Sequence, residues 1–330
     1  MDEQLNAERI KEAVRDTYGG IARRFGDEPQ RPAAASCCGP AAARETSSGC
    51  CGPAAAREAS SGCCGPSPAG EKQSGCCGPS QVAETGAARF YAPDELVDLP
   101  ESVTEASLGC GNPLAIAALQ PGEVVLDLGS GGGIDCFLAA RKVGPEGRVI
   151  GLDMTPDMIK LARRNAKRMG MTNVDFRFGE MEEMPLPDDS VDVVISNCVI
   201  NLSPDKDAVF AEAYRVLRPG GRLSVSDMVV DGDLPQYIRD RLDAWAGCVA
   251  GALDERVYLD KMRAAGFERV EVSSRVYATV DEVAAWDDVQ VIAAGADGEA
   301  VEALLAEARL SPAELARRVA SIKVTAHKPA

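Results

Sequence analysis

The sequence predicts an α/β fold, an open Rossmann-like parallel sheet with helices on both faces. Three observations carry this expectation. From Pro121 to Asp227, short apolar runs alternate with helix-like segments, the pattern of parallel strands joined by crossover helices. The run Val124–Leu128 feeds a loop with glycines at 129, 131, 132 and 133, and a helix begins behind it at Cys136. A second run, Arg148–Asp153, ends in an acid. Crossovers of one hand gather such strand ends on one edge, where ligands are bound.

Taken in order, Ala7 to Phe25 reads as a helix with a loose apolar stripe of Ile10, Val14, Ile21 and Phe25, interrupted at Tyr18-Gly19-Gly20. It suits either a docking helix or a flap over a cofactor. Residues 26–81 contain no Val, Ile, Leu, Met or aromatic side chain, so they cannot bury a core and read as a disordered cysteine-rich insertion. Cys-Cys-Gly-Pro occurs four times there, starting at Cys37, Cys50, Cys63 and Cys76. Adjacent cysteines pair poorly with each other, because a local disulfide is strained. They suit a soft thiophilic ion, although the Cys-x-x-Cys spacing usual for zinc is absent. Idle copies left by tandem expansion are the other reading.

Ordinary composition returns at Val82. Pro93–Pro100 reads as a short helix held between prolines, and Ser107–Pro113 as an open turn around Cys110. Thr155-Pro156 opens a helix over Met158–Met169. Strand Val174–Phe178 leads to Gly179-Glu180-Met181-Glu182, where an adenine would lie. Asp188–Ser190 turns into strand Val191–Ile195, which closes in Ser196-Asn197-Cys198. Helix Ala208–Leu217, turn Arg218–Gly221 and strand Arg222–Ser226 complete the alternation. A helix over Pro235–Ala250 follows. Helices Glu299–Arg309 and Pro312–Ala320 with strands Arg269–Ser273 and Ile322–Ala326 then make a smaller C-terminal α+β region. The expected partition is 1–25 (helix or flap), 26–88 (repeat arm), 89–232 (ligand-binding domain) and 233–330 (C-terminal region).

Composition removes whole classes of function. The formal charge of −16 over 330 residues argues against a non-specific nucleic-acid binder and against an anionic membrane surface. No apolar run spans a bilayer, and the charged start lacks a signal core, so the expectation is a soluble cytoplasmic protein with no nucleic-acid or membrane partner. Twelve cysteines in a reducing compartment point to thiol or metal chemistry rather than disulfides. His327 is the one histidine, which excludes a Ser-His-Asp triad.

The glycine loop offers no lysine, and Asp127 stands two residues before its first glycine. A carboxylate there is poorly placed for a pyrophosphate and well placed for a cationic ligand. S-adenosylmethionine carries a sulfonium, an ammonium and a ribose that Asp153 can hold, although the spacing alone also fits a dinucleotide. The residues expected to bind it are Asp127, Gly129, Ser130, Gly131, Asp153, Met154, Gly179, Glu180, Met181 and Asn197. Cys110, Cys198 and Cys248 each sit in a glycine-rich or polar turn, whereas Cys136 reads as packing. Three thiolates beside a methyl donor would form a trigonal site that As(III) accepts while keeping a lone pair. With the lone pair as nucleophile, no general base is required.

Five motifs then carry a family resemblance. They are Tyr18-Gly19, Ser107-Leu-Gly-Cys-Gly-Asn-Pro113, Val125-Leu-Asp-Leu-Gly-Ser-Gly131, Ile195-Ser-Asn-Cys-Val-Ile-Asn-Leu202 and Trp245-Ala-Gly-Cys-Val-Ala-Gly-Ala252. The chain resembles the arsenite S-adenosylmethionine methyltransferases of the class I methyltransferase superfamily. The cysteine motifs are more specific than the glycine loop, which all class I methyltransferases share. The resemblance implies As(III), free or as a glutathione conjugate, bound at Cys110, Cys198 and Cys248. It implies S-adenosylmethionine as donor with no bound metal cofactor required, and a disulfide reset by thioredoxin or glutathione. A further upstream catalytic thiol is expected, for which Cys76 or Cys77 lies nearest. The repeat arm departs from the family pattern. A class I methyltransferase acting on a small organic acceptor and a thiol-rich sequestering protein are the alternatives.

Overall fold

The computed structural model describes residues 7–25, 86–107, 109, 111–232, 250–279 and 312–330. The repeat arm, Cys110, Cys248 and the helices expected over 235–250 and 299–309 lie outside the described residues.

One sheet organises the rest. Its strands are β1 (Val124–Leu128), β2 (Arg148–Asp153), β3 (Val174–Phe178), β4 (Val191–Asn197), β5 (Leu217–Val230), β6 (Glu268–Tyr277) and β7 (Val319–His327). The order is β3-β2-β1-β4-β5-β7-β6. The first five run parallel, and β7 is antiparallel to both β5 and β6. Strand order reverses at β1, which opens a crevice beyond its carboxyl end. Register brings Leu128 level with Leu152 and Ser196, so Asp153 and Asn197 reach the same edge as the glycine loop.

Alternation along the strands sends side chains to two cores. Leu126, Leu128 and Val194 join Phe210 and Tyr258 on one face. Val125, Val193 and Ile195 join Phe137 and Ile159 on the other. Helices α5 (Ile134–Val143) and α6 (Pro156–Met169) cover the second face, and α7 (Lys206–Val216) and α8 (Glu255–Ala264) cover the first. Short helices α2 (Pro93–Leu96), α3 (Glu101–Thr104) and α4 (Leu114–Ala117) precede the sheet, and α9 (Pro312–Arg318) precedes β7. The boundaries follow local chemistry. Pro156 opens α6 and Gly170, at φ 65°, closes it, while Asp205 caps α7 by accepting the Ala208 N–H.

Helix α1 (Ala7–Arg24) forms where expected and continues through Gly19 and Gly20, and one expectation changes, the length of β5. Gly19 is buried there, and a side chain would press on Arg23, so packing against α6 overrides the weak helix propensity of glycine. Strand β5 is far longer than Arg222–Ser226, because Asp227–Val230 pair with Ile322–Val319 of β7. The C-terminal strands are present and extend the main sheet. Among the described residues, no helix is long and apolar enough to cross a membrane.

Candidate functional site

The crevice at the sheet edge opens into a cavity of about 900 Å³, its mouth included. Its floor is the loop after β1. Gly129 and Gly131 adopt left-handed φ values of 63° and 51°. A Cβ on Gly129 would collide with Val199, whereas one on Gly131 would stand in open space, so bare backbone borders the cavity. Asp153 ties this loop to β2. Its carboxylate accepts the Gly131 N–H at 2.9 Å and the Thr155 N–H at 2.8 Å.

Asp127, Asp135 and Asp153 all line this cavity, and no Lys or Arg is among its described lining residues. Burial raises the pKa of each carboxyl. Asp127 is pushed well above the usual carboxylate range by burial and then by the nearby Asp135. Asp135 is raised to about 6 by burial, held back by hydrogen bonds from Tyr91 and Asn197. Asp153 is raised by burial against the pull of its two backbone donors. The buried Cys136 thiol donates to Asp127 Oδ2 at 3.2 Å, and burial beside that carboxylate drives its own pKa well up. Its expected packing role stands, with this hydrogen bond added. Among the described residues, no three His, Cys, Asp or Glu side chains could hold a metal ion together. Buried acids without basic partners suit an organic cation. Two buried polar atoms on the cavity lining, Ser130 Oγ and Asn197 Oδ1, have no partner. S-adenosylmethionine fits this set: a cationic centre for the acids, a ribose for Asp153, and hydrogen-bonding groups for the two orphaned oxygens.

The structure gathers most of the expected donor site. Asp127, Gly129, Ser130, Gly131, Asp153, Met154, Gly179, Met181 and Asn197 all line the cavity. Glu180 does not: its carboxylate pairs with Lys11 at 2.6 Å and Arg15 at 3.5 Å. Cys198 lines the same cavity. It is 5 % exposed and sits at φ 59°, with its N–H donated to the Ser226 carbonyl at 2.7 Å. It is disulfide-bonded, to a partner that is not among the described residues. Cys110, Cys248, Cys76 and Cys77 lie outside the described residues. Sequence reasoning missed Asp135, because an acid in a helix's first turn is ordinary. It also left Val14 and Tyr18 undecided, and both line the cavity from α1.

Comparison with known proteins agrees with this geometry. The model for a methyltransferase domain matches residues 119–289, just over half of the chain. An arsenic(III) S-adenosylmethionine methyltransferase from Chlamydomonas reinhardtii superposes with a TM-score of 0.57 and 36% identity, covering 75% of each chain. The chain belongs to the arsenite S-adenosylmethionine methyltransferases. Within the family, an arsenite methyltransferase of Halobacterium salinarum is 50% identical over 60% of this chain and 50% of its own. The one from Homo sapiens is 40% identical over 48% and 44% respectively. The chain thus spans about half the length of these curated relatives.

Proposed function

We propose that this chain methylates trivalent arsenic held on cysteine thiolates. The observation that carries the reading is Cys198 on the wall of the acid-lined glycine cavity, whose sulfur, disulfide-bonded in this structure, becomes a thiol beside the donor site once that bond is reduced. S-adenosylmethionine, when bound, supplies an electrophilic methyl group for the arsenic lone pair. Asp127 and Asp135 offset its positive charge, Asp153 takes its ribose hydroxyls, and the Gly129–Gly131 backbone allows close approach. Val14 and Tyr18 cover the cavity from α1 and help exclude water. Cys110, Cys198 and Cys248 hold As(III), free or delivered as a glutathione conjugate. Because the arsenic lone pair is the nucleophile, these side chains need no histidine base. Methyl transfer leaves arsenic two electrons more oxidised. Two thiolates return those electrons by closing a disulfide, and thioredoxin or glutathione reopens it. Detoxification of arsenic in the cytoplasm is the cellular role in this reading.

Purified protein given arsenite, S-adenosylmethionine and a thiol reductant should release methylated arsenicals, measured by product speciation. Cys198→Ser should abolish release while leaving donor binding intact. Absence of product from the wild type, or full activity in the variant, would sink the reading. Absence of product from the wild type would leave a methyltransferase for a small organic acceptor, with Cys198 as packing.

A further inference from the structure

We infer that Tyr91, Asp135 and Asn197 form a polar clamp that seats Gly109 and Gly111, the residues on either side of Cys110 in the sequence, at the donor cavity, and through them governs the reactivity of that thiol. The inference rests on the arsenic reading for the identity of the acceptor. The clamp itself is legible, and testable, without arsenic.

Asn197 ends β4 at the ligand edge. Its Nδ2 donates to the Gly111 carbonyl at 2.9 Å, to Tyr91 Oη at 2.9 Å and to Asp135 Oδ2 at 3.1 Å. Tyr91 Oη in turn donates to Asp135 Oδ1 at 2.7 Å. The three side chains close a ring of hydrogen bonds, and the Gly111 carbonyl is the acceptor that ties the turn to it. Tyr91 and Asp135 are both buried, so these bonds are little contested by water.

The glycines on either side of Cys110 show how closely the turn is seated. A Cβ on Gly109 would collide with the Asn197 amide, and one on Gly111 with the Ser226 hydroxyl. Asn197, at the end of β4, is the register partner of Ser226 in β5. The turn therefore lies with bare backbone on the sheet edge. Gly109, Asp135 and Asn197 also line the donor cavity. Asn197 thus belongs to both sites: its Nδ2 holds Gly111, and the residue lines the cavity. Tyr91 and Asp135 are positioning residues here: they act on the thiol through Asn197 and the turn.

Tyr91→Phe removes only the hydroxyl and keeps the ring in its apolar cluster. In the full-length, reduced protein, alkylation of Cys110 by iodoacetamide, followed by peptide mapping, should quicken about fivefold or more, since the hydroxyl makes two hydrogen bonds in the clamp. Alkylation of Cys198 should not change. Arsenite affinity, by equilibrium dialysis at about pH 8, where Asp135 stays ionised in both proteins, should weaken by a similar factor, with S-adenosylmethionine affinity and melting temperature close to wild type. Gly109→Ala, which pushes the same turn off Asn197 without touching the aromatic core, should also quicken alkylation of Cys110. Unchanged Cys110 reactivity in both variants overturns the clamp. So does parallel loss of donor affinity and thermal stability, which would mark a structural role alone. A wild type that binds no arsenite, with Cys110 still quickened in Tyr91→Phe, would keep the clamp and remove the arsenic reading.

Discussion

Asp135 shows how one side chain can report on a ligand that it was not chosen to hold. Its carboxyl is pushed to about 6 by burial, and burial and then Asp135 itself raise Asp127 beside it. A cation placed against them favours the ionised form, so donor binding releases protons when the empty site is partly protonated. The sign follows: affinity is complete above the raised pKa and declines as pH falls through it. At pH 5, one unit below about 6, only about a tenth of Asp135 is ionised, so S-adenosylmethionine affinity should drop roughly tenfold from its value at pH 7. Calorimetry at the two pH values checks this, and titration in buffers of different ionisation heat should show proton release at pH 6. A flat profile would mean that the acids do not face the donor's charge. Asp127 was legible in the sequence because it stands beside the glycines. Asp135 was not, because its meaning comes from Tyr91, 44 residues away in the chain.

Helix α1 raises the same issue one level up. Its apolar stripe has helical period and was readable, and Ile10, Val14 and Ile21 are buried as expected. What the stripe covers was not readable, since a docking helix and a flap have the same pattern. Val14 and Tyr18 lie on the donor cavity, and charged pairs hold the helix there. Lys11 Nζ bridges Glu180 at 2.6 Å and Glu182 at 3.2 Å, and Arg23 meets Asp157 at 2.6 Å. Burial alone would lower the Lys11 pKa, but the two glutamates raise it overall. The pairing also explains why Glu180, a plausible donor ligand by position, faces the helix instead. Lys11→Met keeps the stem and removes the charge. Partly exposed pairs contribute about 0.5–1 kcal/mol, so donor KM should rise roughly two- to fivefold with kcat little changed. Raising ionic strength should weaken donor binding in the wild type and narrow the gap to the variant. Steady-state kinetics at low and high salt decides it; a salt-independent gap would point to lost packing instead.

Across the whole molecule, what could be read depended on how local its cause is. Strands β1 to β4 announce themselves by β-branched runs and turn residues, and they fall where expected. Strand β5 was read too short because Asp227 looks like a strand end. It is instead a fully buried acid raised to about 7 by burial, holding the Asn201 amide, the Met228 N–H and the Tyr258 hydroxyl. Its strand continues because β7, 90 residues later in the chain, pairs with it. The cysteine constellation was legible as motifs, and of its members Cys198 is the one the described residues place at the cavity. The repeat arm raises the remaining question at this scale. Every described residue lining the cavity falls between Val14 and Tyr18 or between Val103 and Leu202. A chain lacking residues 30–80 should therefore bind S-adenosylmethionine within about twofold of wild type, since the lining groups that set affinity are all retained. Arsenic turnover is expected to fall at least tenfold, because Cys76 and Cys77 are the upstream thiols nearest the core in sequence. Restoring only Gln73–Ser80 should recover it, which product speciation on the three chains would measure. Full turnover without the arm would remove Cys76 and Cys77 from the chemistry and leave the repeats as a trap for soft ions, read then by arsenite bound per chain rather than by methylated product.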